Sequence, residues 1–485
     1  MKKLTYLILF LSIGIIQPLK AQFPGATAQR SSIALQHGAH HIGKRTDAQM
    51  EIWRNYGLGQ FIHWGLYAIP GGHWQGKYYP GAAEWIRSWS GMPNEDYDHL
   101  YQQFNPKNFD ANAWAAQAKA MGARYVIITT KHHDGFCIWP SKYTDYTIAN
   151  TPYKKDALKE IVDAYDAVGI DVYLYFSIID WNHKGYQSAA PKTVAEKRDY
   201  ETFKTFTANQ LKELLTNYPS AKGLWFDGTW DAAWVAQAAF ADSLETELRA
   251  MRPGLIIGSR FRADENGKRH FDTNGDLMDD YEQGWERKLP KTIADIHGND
   301  WDCVMTVPEN QWGYHSEWRG HVKTSTELIE MMAQSVALDG NFVLNFGPDG
   351  QGTIRPEEAK LAQEIGDWMQ INHEAIYDCG YAGLEKQDWG YITQNRKTGK
   401  YYLIVFNVPV SGTLKIKNAS GKGIGKLYDL AHPEQQYETE EIHRSAEGNE
   451  YFIHLKDKPT QPKVIVWESS DLDQDSDVRY EKAKT

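Results

Sequence analysis

Five apolar runs of this sequence each stop at, or hold near their end, a residue that could bind or transform a polar ligand. These residues are His63, His132, His133, Tyr175, Asp227 and Arg260. Because the carboxyl ends of parallel strands meet at one face of a barrel, we expect these side chains to converge on one pocket. The chain also holds 18 Trp and 28 Tyr, and aromatic rings both fill protein cores and stack on sugars in carbohydrate clefts.

Asp227 is the most informative single residue. It directly follows Leu-Trp-Phe and precedes Gly228, a place that a surface charge rarely occupies. One interpretation is a buried Asp that caps the next helix; the other is a carboxylate nucleophile at a strand end. Glycoside hydrolysis requires a second carboxyl group, which should lie on a later strand or loop. Spacing alone does not choose among the four acids of residues 279–286, which are Asp279, Asp280, Glu282 and Glu286.

The neighbouring residues His132 and His133 raise the question of a metal site. Successive side chains of an extended segment point to opposite faces, so we expect these two histidines not to share a metal ion. Hydrogen bonding to a polar ligand is the favoured interpretation. The sequence has no CxxC, HExxH or GxGxxG motif, and we expect neither a metal nor another cofactor.

The elements that would position these residues alternate between short apolar runs and helical patterns over residues 46–375. Near-continuous apolar runs are typical of parallel strands that are buried on both faces. We therefore predict an α/β fold, a (β/α)8-like barrel catalytic domain, with a doubly wound sheet as the alternative. The predicted strands are Gly59–Trp64, Tyr125–Thr130, Val172–Ile178, Gly223–Asp227, Leu255–Ser259, Asp302–Val307 and Asn341–Gly347.

The pattern changes after the barrel. Residues 376–470 hold short β-branched and aromatic runs between turn clusters, which predicts a C-terminal all-β sandwich domain. The polar tail 471–485 is predicted to be disordered, and residues 22–45 form an N-terminal segment. The predicted strands of the sandwich are Tyr401–Asn407, Thr413–Lys417, Lys426–Leu430, Tyr451–Leu455 and Lys463–Trp467.

Residues 1–21 are predicted to be a signal peptide. Lys2 and Lys3 precede an apolar run of 13 residues, from Leu4 to Ile16, which is too short to cross a bilayer. Ala21 is a small residue at the predicted cleavage site, and the residue directly after it is not Cys. We therefore expect a periplasmic or secreted protein without a lipid anchor.

The overall charge and the cysteine count limit the partners and the disulfide bonds that this chain can have. A net charge of −11 provides no basic surface for nucleic acid, and no later apolar run suggests membrane insertion. The three cysteines, an odd number, leave at least one thiol unpaired. The apolar surroundings of Cys137 and Cys303 predict buried free thiols, and Cys379 is the third.

Together, the motifs resemble those of glycoside hydrolase family 29, the α-L-fucosidases, in their order and spacing over residues 46–375. The C-terminal β-sandwich is also expected of that family. The matching segments are Phe61–Gly65, Ala83–Trp85, Thr130–Phe136, Tyr175–Ser177, Leu224–Gly228, Gln311–Tyr314 and Asn345–Gly352.

This resemblance implies a retaining mechanism in which Asp227 is the nucleophile. Glu286 is the implied acid/base, because its distance ahead of the later tryptophan motifs fits the family's layout, and Glu282 is the second candidate. The family usually has Glu where this chain has Asp302, a departure that weakens the case for a direct role of Asp302. The implied fucose-binding residues are His63, Glu84, Trp85, His132, His133, Tyr175, Trp225, Arg260 and Trp312.

The expected substrate is therefore a fucosylated glycan. Two alternatives stay open: another retaining barrel glycosidase, such as an α-galactosidase or a β-glycosidase, and a non-catalytic fucose-binding homologue. Linkage preference would depend on loops outside the fucose site, such as Gly71–Gly81 and Lys184–Thr193. The sequence makes no prediction of the oligomeric state.

Overall fold

The computed structural model describes residues 44–418, 423–445, 448–455, 459–460 and 462–470. The predicted signal peptide, all but the end of segment 22–45 and the tail 471–485 lie outside the described residues. Eight parallel strands form the first sheet, and every predicted barrel run overlaps one of them. They are Leu58–Ile62 (β1), Tyr125–Lys131 (β2), Asp171–Ser177 (β3), Gly223–Asp227 (β4), Ile256–Ile257 (β5), Glu282–Glu286 (β6), Trp301–Thr306 (β7) and Asn341–Phe346 (β8).

The eight strands follow one another in chain order around a closed barrel. The hydrogen-bonded order is β5-β4-β3-β2-β1-β8-β7-β6, and β1 pairs with β8 as well as with β2. A parallel bridge between Gly258 and Tyr281 joins the ends of this sheet, supported by a 2.9 Å bond from the Ser259 amide to the Tyr281 carbonyl. The predicted barrel is confirmed, and a doubly wound sheet is excluded because its strand order would reverse.

Helices cover most of the outside of the barrel. Caps fix the starts of three of these helices: Asp156 accepts from the Lys159 amide, Thr324 and Glu327 form a capping box, and Pro356 opens its helix. No α-helix lies between β5 and β7, in a stretch that is described throughout. The helices are Ala48–Arg54 (α1), Ile86–Trp89 (α2), Asn94–Asp98 (α3), Ala111–Met121 (α4), Ala157–Ala167 (α5), Val194–Asn217 (α6), Ala232–Val235 (α7), Ala238–Met251 (α8), Ser325–Ala337 (α9) and Pro356–Asn372 (α10).

Aromatic side chains fill the barrel interior. Tyr56, Tyr125 and Tyr173 pack against one another near its amino-terminal end. Phe61 continues the stack, with its ring centroid 5.2 Å from that of Trp225. The interior core is thus continuous with the aromatic floor of the pocket described below. This accounts for part of the high Tyr and Trp content.

The C-terminal region forms two antiparallel sheets. Their strands are Cys379–Tyr381 (β9), Gly390–Asn395 (β10), Tyr401–Val405 (β11), Thr413–Asn418 (β12), Gly423–Asp429 (β13), Glu438–Ser445 (β14), Gly448–His454 (β15) and Lys463–Ser470 (β16). The strand orders are β9-β10-β11-β16-β13 and β12-β15-β14. All five predicted strands are present, and β9, β10 and β14 are additional. Apolar side chains such as Leu403, Ile416 and Trp467 share one buried core in this region, as a sandwich requires.

The cysteines agree with a further expectation. Cys137, Cys303 and Cys379 are all free and buried. Within the described ranges, no helix combines the length and the apolar character that crossing a bilayer requires.

Candidate active site

A cavity of about 450 Å³ opens at the carboxyl ends of the barrel strands, where the sequence predicts it. Asp227 ends β4 and Glu286 ends β6, while His63 follows β1 directly. Every predicted site residue lines this cavity except Glu282. The predicted residues that line it are His63, Glu84, Trp85, His132, His133, Tyr175, Trp225, Asp227, Arg260, Glu286 and Trp312.

Asp227 is held by two donors and does not cap a helix. The Tyr175 hydroxyl donates to its Oδ2 at 2.9 Å, and Nη1 of Arg260 donates to its Oδ1 at 3.3 Å. The next helix, α7, has Asp231 at its N-cap position, so the capping interpretation is wrong. Gly228 follows at φ +75°, where a Cβ would lie 2.8 Å from the Ile179 amide nitrogen. Only glycine fits this turn, which leaves the Asp227 carboxylate facing the cavity.

Glu286 shares its arginine with Asp227. Nη2 of Arg260 donates to Oε2 of Glu286 at 2.6 Å, and Nε of the same guanidinium donates to the Gln283 carbonyl at 2.9 Å. Adjacent nitrogens of one planar group therefore hold the two carboxylates side by side. This arrangement brings together the paired acids that glycoside hydrolysis uses.

Glu282 lies at the other end of the same strand, buried and outside the cavity. In a regular strand Glu282 and Glu286 would face the same side, because side chains alternate. The pairing of β6 with β7 shifts register between Glu282 and Trp285, so the two glutamates are out of phase. The geometry thus favours Glu286. Asp302, beside Trp301, also stays buried and outside the cavity lining.

His63 and His133 are neutral hydrogen-bond acceptors toward the cavity. His63 Nδ1 lies 2.6 Å from Oδ1 of Asn345, whose amide nitrogen donates to the Trp312 carbonyl. His133 Nδ1 lies 2.6 Å from Oγ of Ser177, which donates to a carbonyl. We assign the proton to Nδ1 in both rings, which leaves each Nε2 as an acceptor. Burial lowers the pKa of each histidine to about 3.

His132 and His133 do not point to opposite faces, and that prediction was wrong. Strand β2 ends at Lys131, so the two histidines lie in a turn and their ring centroids are 4.3 Å apart. Ligand atoms of His132, His133 and Asp227 lie within 4.8 Å of one another, so among the described residues this trio could hold a metal ion. His132 also stacks on Tyr175, with ring centroids 5.5 Å apart and planes at 7°.

Glu84 and the tryptophans complete the walls. Oε2 of Glu84 accepts from the Gly313 amide at 3.0 Å, while its buried Oε1 has no partner within the described chain. Burial raises the pKa of Glu84 to about 7. Trp85 packs edge-on to His133 at 4.8 Å. The Arg260 guanidinium lies 5.1 Å above the ring of Trp225.

The two central carboxyl groups influence each other's protonation. Burial raises the pKa of Asp227 to about 6, and the charge of Glu286 adds to this effect although Arg260 opposes it. Burial also disfavours the charged form of Glu286, but the charge and hydrogen bond of Arg260 outweigh it and lower the pKa. When the pH falls toward 6, Asp227 therefore takes up a proton before Glu286 does.

Several residues of the cavity mouth were missed by sequence reasoning. All but Trp89, which ends the short helix α2, lie in loops. None of them is the residue at which a predicted apolar run stops, so only their position between predicted strands was available as a signal. These residues are Trp89, Thr229, Trp230, Arg269, His270 and Arg287.

Comparison with known proteins agrees with this geometry. A sequence model described as alpha-L-fucosidase matches residues 28–374. A glycoside hydrolase family 29 alpha-L-fucosidase from Bacteroides thetaiotaomicron, trapped as a covalent intermediate with 2-fluoro-fucosyl fluoride in a Glu-to-Gln variant, is 48% identical. The match covers 90% of this chain and 99% of that chain, with a TM-score of 0.86.

More distant relatives carry the same description. Alpha-L-fucosidase isoenzyme 1 from Paenibacillus thiaminolyticus is 30% identical, with 87% of this chain and 99% of that chain covered and a TM-score of 0.73. Human plasma alpha-L-fucosidase is 28% identical over 387 residues, which cover 76% of this chain and 78% of its own length. The chain therefore belongs to the alpha-L-fucosidase family, glycoside hydrolase family 29.

Proposed function

We infer that this protein is a retaining, exo-acting α-L-fucosidase that removes terminal α-L-fucose from fucosylated oligosaccharides or glycoconjugates. The observation that carries this conclusion is the single guanidinium of Arg260, which holds Asp227 and Glu286 side by side in the cavity. The cavity is closed below by the aromatic core of the barrel. A site closed at one end admits one terminal sugar and not the middle of a chain.

In the first step we assign Asp227 as the nucleophile. Its carboxylate attacks the anomeric carbon of fucose while the bond from that carbon to the leaving oxygen breaks, and Glu286 gives its proton to that oxygen. The Tyr175 hydroxyl and Arg260 orient the attacking carboxylate. Because Arg260 favours an ionised Glu286 in the ligand-free site, Glu286 must take up its proton as the substrate binds.

In the second step Glu286 acts as the base. It takes a proton from water, the oxygen of that water attacks the anomeric carbon, and the bond to Asp227 breaks. Two inversions at one carbon give net retention. The Asp227 carboxylate leaves as an anion, and Tyr175 and Arg260 are already placed to stabilise it.

The walls suit the particular shape of fucose. The acceptor nitrogens of His63 and His133 and the unpaired oxygen of Glu84 can bind hydroxyl groups. Trp225 and Trp312 supply apolar surface for the C5 methyl group. A sugar that lacks a matching hydroxyl would leave one of these buried groups unpaired, which costs on the order of 1–3 kcal/mol and gives selectivity.

A panel of aryl glycosides tests this function against its alternatives. We expect turnover of the aryl α-L-fucoside and of no aryl galactoside or glucoside, with the same rate after dialysis against a chelator. Preferred turnover of another glycoside would support a different glycosidase, and binding of fucose without turnover would support a sugar-binding homologue. Loss of activity in chelator that a divalent ion restores would assign a metal to His132, His133 and Asp227.

The pH profile reports the coupling of the two acids. We expect kcat/KM for an activated aryl fucoside to fall below about pH 6, because Asp227 then takes up a proton and cannot attack. The charge of Glu286 raises the pKa of Asp227, so Glu286→Gln should move this acidic limb to lower pH. Glu282→Gln is the matched control and should leave the limb in place. An unmoved limb in Glu286→Gln would contradict the coupling.

We also propose that the protein is exported to the periplasm or the medium. The support is the charged start, the apolar run from Leu4 to Ile16 and the small Ala21. N-terminal sequencing of protein recovered from the exported fraction should begin at Gln22. Recovered protein that begins at Met1 would refute the proposal.

A further inference from the structure

The mouth of the cavity carries positive charges that the proposed reaction does not use. Arg269 lies in the loop between β5 and β6, and Arg287 directly follows Glu286; both line the cavity and both are exposed. The chain as a whole has a net charge of −11. These two side chains therefore carry a charge opposite in sign to that of the whole protein.

Arg269 has no anionic partner within the described chain. Burial and the charge of Arg260 both lower its pKa, and no carboxylate raises it. The next residue, His270, has its pKa lowered to about 4 by burial and then by Arg260, Arg269 and Lys288. Arg260, in contrast, donates to both central carboxylates. The mouth thus offers one guanidinium whose hydrogen-bond donors are free for a ligand.

A rigid turn holds Arg269 in place. One oxygen of Asp264 accepts from the Asn266 amide at 2.9 Å and from the Lys268 amide at 2.7 Å, and the other accepts from the Thr273 amide at 2.8 Å. Ala263 and Arg269 form an antiparallel bridge across this turn. The backbone of Arg269 is therefore fixed before a ligand arrives, which reduces the entropy cost of binding through its side chain.

Arg287 lies beside the carboxylate that protonates the leaving oxygen, and Arg269 is close enough to Arg260, the partner of that carboxylate, for the two charges to interact. Glu286, which protonates the leaving oxygen, has its Oε1 3.5 Å from Nε of Arg287. Two tryptophans also line the mouth, with exposed fractions of 60% for Trp89 and 41% for Trp230. Exposed ring faces that line the same cavity as a guanidinium suit a sugar that carries a negative group.

We propose that the subsite next to fucose accepts an acidic sugar, whose sulfate ester or carboxylate is held by the guanidinium of Arg269. This inference rests on the proposed function, because it concerns the sugar to which the fucose is attached. The planar fork of Arg269 can donate two hydrogen bonds to either group. Trp89 and Trp230 contact the ring of the same sugar.

Matched substrate pairs test the proposal. The first pair is an aryl α-L-fucoside with a meta-carboxylate and its meta-carboxamide; the second is fucosyl-N-acetylglucosamine with and without a 6-O-sulfate. We expect the wild type to prefer the anionic member of at least one pair by about fivefold to tenfold in kcat/KM at low salt. The carboxylate and sulfate pairs separate the two sources of charge, and the preference should shrink in 0.5 M salt.

The variants assign that preference to one side chain. Arg269→Gln should reduce the ratio of anionic to neutral kcat/KM to about one, while its rate on the neutral member stays near that of the wild type. Lys268→Gln removes the same charge one residue earlier, from a side chain that does not line the cavity, and should keep the ratio. The neutral aryl fucoside reports the proposed function separately, since no turnover of it would refute the fucosidase itself.

Two results would overturn the inference while leaving the fucosidase intact. One is equal kcat/KM for charged and neutral members of both pairs in the wild type. The other is a preference for the anion that survives Arg269→Gln unchanged.

Discussion

Asp227→Gly will lose turnover on every fucoside by on the order of 10³-fold or more, because no covalent intermediate can form without the carboxylate. The fold should survive, since Arg260 keeps Glu286 as its partner. Sodium azide should then enter the space that the side chain leaves and attack the anomeric carbon. The product is a fucosyl azide of inverted configuration, which proton NMR distinguishes from the retained one.

The control for this variant is Asp231→Asn. Asp231 lies four residues later, at the start of α7 and outside the cavity lining, so turnover should stay within a few-fold of the wild type. Wild-type protein in azide should give no inverted product. Substantial turnover by Asp227→Gly without azide, or a rescued product of retained configuration, would contradict the assignment of Asp227.

Glu286→Ala will divide substrates by the acidity of their leaving group. A dinitrophenol needs little proton assistance, so the first step on its fucoside should stay within about tenfold of the wild type. A sugar leaving group needs the proton, and its cleavage should fall on the order of 10³-fold. Azide should now give a fucosyl azide of retained configuration, because the intermediate still forms on Asp227.

Glu282→Ala is the matched control, since Glu282 lies on the same strand but outside the cavity. It should cleave both substrate types at similar fractions of the wild-type rate. Near wild-type rates for Glu286→Ala on both types, with the division appearing in Glu282→Ala, would show that the acid/base assignment is wrong.

The barrel could be predicted well because its strands are apolar on both faces. Residues 223–227, Gly-Leu-Trp-Phe-Asp, form a strand with the predicted bounds, since nothing but burial explains such a run. Strand β6 was not predicted, because it is not an apolar run. Glu282 to Glu286 reads Glu-Gln-Gly-Trp-Glu, and its register shift breaks the alternation that a periodicity argument needs. The proposed acid/base therefore followed only from the family resemblance.

The prediction about the site that was wrong depends on where a strand ends. His132 and His133 would face opposite sides in an extended chain, but β2 ends one residue earlier, at Lys131. The positions of residues at the cavity mouth depend on hydrogen bonds between loop side chains and the backbone. Asp264, for example, positions Arg269 through three backbone amides of its own loop, and no spacing in the sequence identifies that role.

The most direct test of the account is to trap the intermediate and locate the sugar. Incubation of the Glu286→Gln variant with 2-fluoro-fucosyl fluoride, followed by digestion and mass spectrometry, should add one 2-fluorofucosyl group to the peptide that contains Asp227. The same treatment of Asp227→Gly should label no peptide. A 2-fluorofucosyl group on any other carboxylate, or no label in a variant that still releases fluoride, would contradict the central claim that Asp227 is the nucleophile of a retaining α-L-fucosidase.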